Sequence, residues 1–541
     1  MVGDAVTQSF WGRRGMAVAP HSLAAESAVA VLREGGNAIE AMVSAAATIA
    51  VVYPHMNGIG GDSFWVMRGP NGVPGGIDAS GHSAAAASLQ SYQDQGMRDR
   101  IPFRGGSAAL TVAGTVGGWG LAHQVSRSIG GRLPLSRLLA DAIWYAEHGV
   151  PVTASQAMST QAKLAELAPI SGFADTFLVQ GAPPVAGSLF KQPRMAATLR
   201  RLAQQGTNDF YRGSLAKQIS AELEQLGSPI RANDLAAYEA RLVNPLTSRV
   251  HGAGLRNMQP PSQGVVSMMI LGIMDRVMRK HPKCLGGPTS ANFVHVQVEA
   301  TKLAFKVRDQ QLTDPAFMRV SAQSLLSDDH LDALAAQLQL DRAAPWGAPT
   351  QPGDTVWMGV VDQQGVAVSF IQSIYHEFGS GLVLPETGVN WQNRGCGFSL
   401  DPSHINCLAP RKRPFHTLNA GLAELEGGGT MVYGTMGGDG QPQTQATVFT
   451  RIHHFGMDPQ AAIEAPRWLL GRTWGQASDS LKLESRFGAN VVEALRAKGH
   501  WVESIGAWDE SVGHAGAIVR RSNGLLSGGF DPRSDGAVAA F

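Results

Sequence analysis

The sequence predicts a layered α/β or α+β sandwich on three observations: a long central stretch of helical periodicity, a switch to strand periodicity after it, and short glycine-rich turns. From about Leu135 to Leu340, segments such as LSRLLADAIWYAEHG and ANFVHVQVEATKLAFKVRDQQL carry apolar residues three and four apart, the spacing of one helix face. Beyond Asp354 the period falls to two. Thr355 to Val361 and Val366 to Ile374 read as strands joined by a DQQG hairpin turn, and TMVYGTMGG and AGAIVRRSNGLLSGGFD read as a further strand pair. Glycine, 64 of 541 residues, shows no fixed period and sits among apolar runs, the pattern of an ordered protein with many tight turns.

Taken from the N-terminus, Ser22 to Arg33 and Gly36 to Val52 read as helices with Ser22 and Asn37 as caps, the second so rich in Ala and Val that it must be covered on most sides. HMNGIGGD then marks a turn where backbones approach closely, and SFWVM reads as a strand. The G-x-G-G follows a helix, whereas a dinucleotide fingerprint follows a strand, so no nucleotide is expected. SLAK (Ser214 to Lys217) has the S-x-x-K spacing of penicillin-binding enzymes, but S-D-N and K-T-G are absent and an amphipathic helix explains it. Lys302, Lys306 and Arg308 are expected on the solvated face of one helix.

Other features exclude whole classes of function. Net charge is +1, from 44 basic and 43 acidic residues, so no electrostatic footprint favours nucleic acid or anionic membrane. The first residues show no secretory signal, and the longest apolar stretch, Ala41 to Tyr53, is 13 residues against the roughly 20 that span a bilayer. Cys284, Cys396 and Cys407 are odd in number and far apart, which fits small buried side chains in a reducing compartment, and a cytoplasmic location is expected. His453, His454 and HPKC (His281 to Cys284) lack metal-ligand spacing, so no metal or other cofactor is expected.

One junction calls for a mechanism. The Gln/Pro/Gly-bearing stretch Ala348 to Asp354 is the single segment resembling an exposed joint, and it ends at Thr355, which opens an apolar strand. A Thr there serves β-propensity in most proteins. It is also the arrangement a self-cleaving N-terminal nucleophile needs. The hydroxyl attacks the Asp354 carbonyl, and the amine set free, with a pKa of about 7.7–8.0, then serves as base to its own hydroxyl.

At this point the chain resembles the γ-glutamyltranspeptidase family, in GGNAIEA, GIGGD, DFYRGSLA, PPSQG, TVWMGVVDQQGVAVS, FGSGLV, KRPFHTLN, GTMGGDGQ, GMDPQAAIEAPRW and DPRSDGA, all in family order. The resemblance implies an α+β, four-layer αββα sandwich of the N-terminal nucleophile hydrolase type. It also implies cleavage between Asp354 and Thr355 into fragments 1–354 and 355–541 that stay associated as one integrated domain, with a higher oligomer left open. Thr355 takes the place of the family nucleophile, with Val356 where a second Thr would stand. Ser373 matches a Thr that hydrogen-bonds the nucleophile, and Gly437 and Gly438 match the pair whose N–H groups form the oxyanion hole.

The donor pocket departs from the family. An Arg and an Asp that would hold the two charges of a γ-glutamyl group are replaced by Ser80 and Gly397, an Asn by Tyr375, a Gln by Arg394, and the first Ser of a carboxylate-binding pair by His416, followed by Thr417. Losing both charges weakens γ-glutamyl recognition, while the Arg394 fork suits a small carboxylate. The segment from GFS to KRP is also too short for a lid. The expectation is therefore an amidohydrolase resembling the oxamate-hydrolysing branch. Glutathione hydrolysis or transpeptidation, cephalosporin-type acylase activity and an unprocessed small-acid-binding relative are the alternatives.

Overall fold

The computed structural model describes residues 8–347, 353–471 and 478–541. Most of the expected joint, 348–352, lies outside them. Two seven-stranded sheets, antiparallel throughout, form the centre. In one, the spatial order is Ala537–Ala540, Gly15–Ala19, Asp354–Asp362, Ala367–Tyr375, Asp62–Arg68, Pro74–Ala79 and Arg241–Val243. In the other it is Phe10–Gly12, Leu526–Phe530, Ala515–Arg520, Thr430–Thr435, Gly421–Glu424, Ala253–Asn257 and Leu246–Val250.

The sheets face each other across a core that includes Met16, Phe64, Trp357, Ile371, Val432 and Ile518. Helices Ser22–Arg33 and Ala38–Val52 cover the first sheet; Gly264–Lys280 and Gln441–Phe449 cover the second. The result is the four-layer αββα arrangement, α+β in class. The Ala-rich helix Ala38–Val52 is buried along its whole length, as its composition demands, and Asn37 caps it within a full capping box with Glu40. Strand Asp354–Asp362 is likewise buried at every position. None of the described helices is long and apolar enough to cross a membrane.

The structure corrects several expectations. The first helix is capped by the His21 ring, which accepts from Leu23 N, and Ser22 is already its first residue. The second helix starts at Ala38, because Gly36 lies ahead of the cap. The stretch read as mostly helical also holds the two-residue strands Val150–Pro151 and Leu189–Phe190 and the strands Arg241–Val243, Leu246–Val250 and Ala253–Asn257, all too short for their alternation to stand out. The three cysteines are half-buried. Of the three basic residues expected on the solvated face of helix Ala291–Gln311, only Lys306 is exposed. Lys302 and Arg308 are buried, because each has a carboxylate partner waiting inside, Glu299 and Asp439 respectively.

Candidate active site

Four neighbouring strands bring the predicted residues to one end of the first sheet. The register sets Asp354 against Tyr375, Ser373 against Asp62, and Ser63 against Ala79, so the termini of all four strands lie side by side. The GIGGD turn delivers Asp62 there, and its glycines are required by contact. A β-carbon at Gly61 would stand 2.1 Å from Ser373 O, and one at Gly60 would stand 2.2 Å from Asn390 O.

Thr355 is 1% exposed and sits where the ladder with the next strand shifts register, a β-bulge that re-aims its side chain. Its Oγ1 lies 2.5 Å from Asp354 O and 3.4 Å from Gln441 Nε2. In this continuous chain Ser373 Oγ donates to the same Asp354 carbonyl, and not to the Thr355 hydroxyl, while accepting from Tyr375 N at 2.7 Å. The carbonyl that Thr355 would attack is thus already gripped by a donor.

The turn after strand Thr430–Thr435 closes the site from the second sheet. Gly437 and Gly438 both take positive φ, 114° and 51°, which side chains disfavour. A β-carbon at Gly353 would lie 3.5 Å from Gly438 Cα and 3.1 Å from the Tyr375 ring, so the turn abuts the residue two before Thr355. Helix Gln441–Phe449 starts from this turn, with its N-terminus at the site. Gln263, from the PPSQG motif, ties the walls together by donating to Thr417 O at 2.7 Å and Gly438 O at 3.0 Å. Beneath the turn, Arg308 and Asp439 form a buried ion pair at 2.8 Å. A cavity of about 300 Å³, lined by Arg308, Asp309, His404, Asn406, Phe415 and Asp439 among others, borders this pair.

Arg394 is the dominant charge. Its guanidinium is 1% exposed, lies 3.6 Å from the centroid of the Tyr375 ring, and has Thr417 Oγ1 at 3.4 and 3.5 Å. No carboxylate among the described residues comes within ion-pair distance of it. Burial pushes its pKa below the ordinary guanidinium value. Tyr375, which carries the stacked ring, holds a φ of 84°, a strained conformation for a non-glycine residue.

His416, fully buried, faces Asp62 Oδ2 at 3.2 Å through Nε2. Burial first and the Arg394 charge second lower its pKa, against the facing Asp62 carboxylate, which favours the neutral ring. Asp62 is fixed by accepting from Gly81 N and Gly114 N, both at 3.0 Å. Ser80 is near in register, but its hydroxyl donates to Asp78 Oδ1 at 2.5 Å, and no hydrogen bond joins it to Thr355 or Arg394. Asp78 in turn pairs with Arg241 and Arg413. Gly397 ends the short helical turn Arg394–Gly397.

Sequence reading named Thr355, Ser373, Tyr375, Arg394, His416, Thr417, Gly437 and Gly438, and the fold gathers all of them. It did not assign Asp62, Gln263, Gln441, Asp439 or Arg308 to the site, although all five lie inside quoted segments. Away from the site, Ser214 is an exposed helix residue beside Arg201, and His453 Nε2 bonds His251 O at 2.8 Å. His295, Glu299 and His500 do converge in the interior. Hydrogen bonds already engage them: His295 to His500 and to Gln339 O, both at 2.8 Å, and Glu299 to Lys302 at 2.7 Å.

Residues 24–541 match the family model described as Gamma-glutamyltranspeptidase. The chain is similar to the oxamate amidohydrolase proenzyme of Klebsiella pneumoniae, 57% identical over 97% of this chain and 98% of that protein. It is 39% identical to the glutathione hydrolase-like YwrD proenzyme of Bacillus subtilis, over 99% and 100% of the two chains. Among solved structures, cephalosporin acylase from Bacillus halodurans superposes with a TM-score of 0.90 at 32% identity, covering 100% of this chain and 98% of that one.

Proposed function

The chain belongs to the gamma-glutamyltranspeptidase family and is a hydrolase; on that premise we propose that it is a self-processing N-terminal-threonine amidohydrolase acting on a small carboxylate-bearing amide such as oxamate. One observation carries the substrate reading. Arg394 is a buried guanidinium with no carboxylate partner among the described residues. Burying an ion without a counter-ion costs several kcal/mol, about what a bound carboxylate would offset. The absence of a charged side chain at Ser80 and Gly397 counts against a γ-glutamyl donor, whose ammonium would need a buried partner.

The chemistry runs in two stages. Thr355 Oγ attacks the Asp354 carbonyl, the acyl group shifts from nitrogen to oxygen, and water releases a chain that begins at Thr355. Strand 354–362 has hydrogen-bonded neighbours on both sides, and residues 355–541 supply strands to both sheets, so the fragments are held together after the break. In the second stage the freed amine takes the Thr355 hydroxyl proton, and the hydroxyl attacks the substrate amide. Backbone N–H groups of the Gly437–Gly438 turn hold the oxyanion, Arg394 and Thr417 hold the neighbouring carboxylate, and His416 and Tyr375 narrow the pocket. Ammonia leaves, and water hydrolyses the acyl-enzyme.

The likeness to a cephalosporin acylase favours a second reading, a larger acyl group such as a glutaryl amide, reaching toward the cavity beside Asp439. A panel of oxamate, γ-glutamyl anilide and a glutaryl amide on the processed protein separates these. Oxamate turnover well above the others is the expected result. A preference for the γ-glutamyl or glutaryl compound would overturn the substrate reading and leave the nucleophile standing.

A further inference from the structure

We propose that the Asp354 side chain is the proton shuttle of the chain's own cleavage, its carboxyl protonating the Thr355 nitrogen as the peptide bond opens. The inference rests on the self-processing reading above and concerns a group which that reading leaves idle.

Asp354 is 0% exposed, yet neither oxygen of its carboxyl has a hydrogen-bond partner among the described residues. An unsatisfied buried carboxyl costs roughly 1–3 kcal/mol or more, so proteins keep such groups where they have work to do. Its position matches the need. The carboxyl belongs to the residue on the acyl side of the bond, so the covalent chain itself keeps it within a side-chain rotation of the nitrogen of the next residue. Gln441, whose amide nitrogen lies 3.4 Å from Thr355 Oγ1, can neither take nor give a proton at neutral pH. Ser373 serves the carbonyl oxygen.

The surroundings favour the acid form of the carboxyl. Burial is the largest cause of a pKa well above the ordinary carboxylate range, and the acids Glu377 and Glu510 raise it further, against Lys163 and Arg104. Tyr53 also senses it, and Tyr375 faces it across the ladder.

The step balances. Thr355 Oγ bonds to the Asp354 carbonyl carbon while the hydroxyl proton passes to one carboxyl oxygen. The oxyanion collapses, the C–N bond breaks with its electron pair on nitrogen, and the other carboxyl oxygen gives that nitrogen its proton. Asp354 ends neutral, as it began, and the products are an ester and a free amine.

The test follows cleavage of freshly translated full-length chain by intact mass against time, for wild type, Asp354→Asn, Asp354→Glu and Thr355→Ala, across pH. Losing a general acid costs about 10²- to 10⁴-fold, so D354N is expected to cleave at least about 100-fold more slowly, D354E to recover part of the rate, and the wild-type rate to fall as pH rises. A slow D354N with an unchanged pH profile, or a D354N as fast as wild type, overturns the proposal. Should D354N not fold, a wild-type rate that climbs with pH overturns it alone. A wild type that never cleaves, like T355A, removes the self-processing reading itself and the shuttle with it.

Discussion

Replacing Arg394 by methionine keeps length and burial but removes the charge. The guanidinium is 1% exposed, stacks on Tyr375 at 3.6 Å and has no carboxylate partner among the described residues. Truncating one side of a buried charge pair costs about 2–5 kcal/mol, which converts to a loss of roughly 30- to 5,000-fold in kcat/KM for oxamate. Fold stability should respond with the opposite sign. Exchanging an uncompensated buried ion for an apolar side chain is neutral or stabilising, less about 0.5–2 kcal/mol for the lost ring contact. The assay is ammonia release by processed wild-type and R394M enzyme from oxamate and from neutral oxamide, with thermal unfolding alongside. The account predicts a selective loss on oxamate and an unfolding midpoint within a few degrees of wild type. Equal losses on both amides, or a large drop in midpoint with oxamate turnover intact, would refute the argument that this charge exists for the ligand.

Three further outcomes follow from the same geometry. Thr355→Ser keeps a hydroxyl and an amine and is expected to self-cleave, whereas Thr355→Val should remain one chain by gel, being of similar shape but without nucleophile. Arg308→Gln breaks a 2.8 Å buried pair with Asp439 and should cost about 3–5 kcal/mol in denaturant unfolding, with part of the loss restored by adding Asp439→Asn. Glu510 has its pKa raised to about 7, by burial first and then by Asp535 and Asp509. A carboxyl raised in the folded state binds its proton more tightly there, so its penalty is absent below the ordinary value and complete above about 7. Glu510→Gln should therefore raise the unfolding midpoint at about pH 8 and leave it unchanged at about pH 4.

The sequence made the central strands and the place of the Asp354–Thr355 junction at the head of one of them legible because both are local. Alternation over Thr355–Val361 and the Asp-Thr pair at its head are contiguous signals. The residues that hold the site together are not. Arg308 reads as one more charge on a helix face until the fold brings Asp439 from another element to meet it, and Lys302 with its helix neighbour Glu299 reads as exposed until Ala344 bonds to both. Asp62 carried a signal that could have been followed: two glycines before an acid, where a β-carbon would strike Ser373 and Asn390, mean that the acid is being pressed into a tight place. The short strands between Arg241 and Asn257 escaped notice because so few residues alternate, and what defines them is pairing with distant strands.

The whole account stands on the bond between Asp354 and Thr355. Intact mass of the purified protein, with chemical labelling of its free α-amines, examines that bond directly. The account predicts two species in place of one of 57.1 kDa, the smaller bearing a labelled Thr355 at its start, with amidase activity proportional to the cleaved fraction. A full-length chain that hydrolyses amides without any break at Thr355 would contradict it.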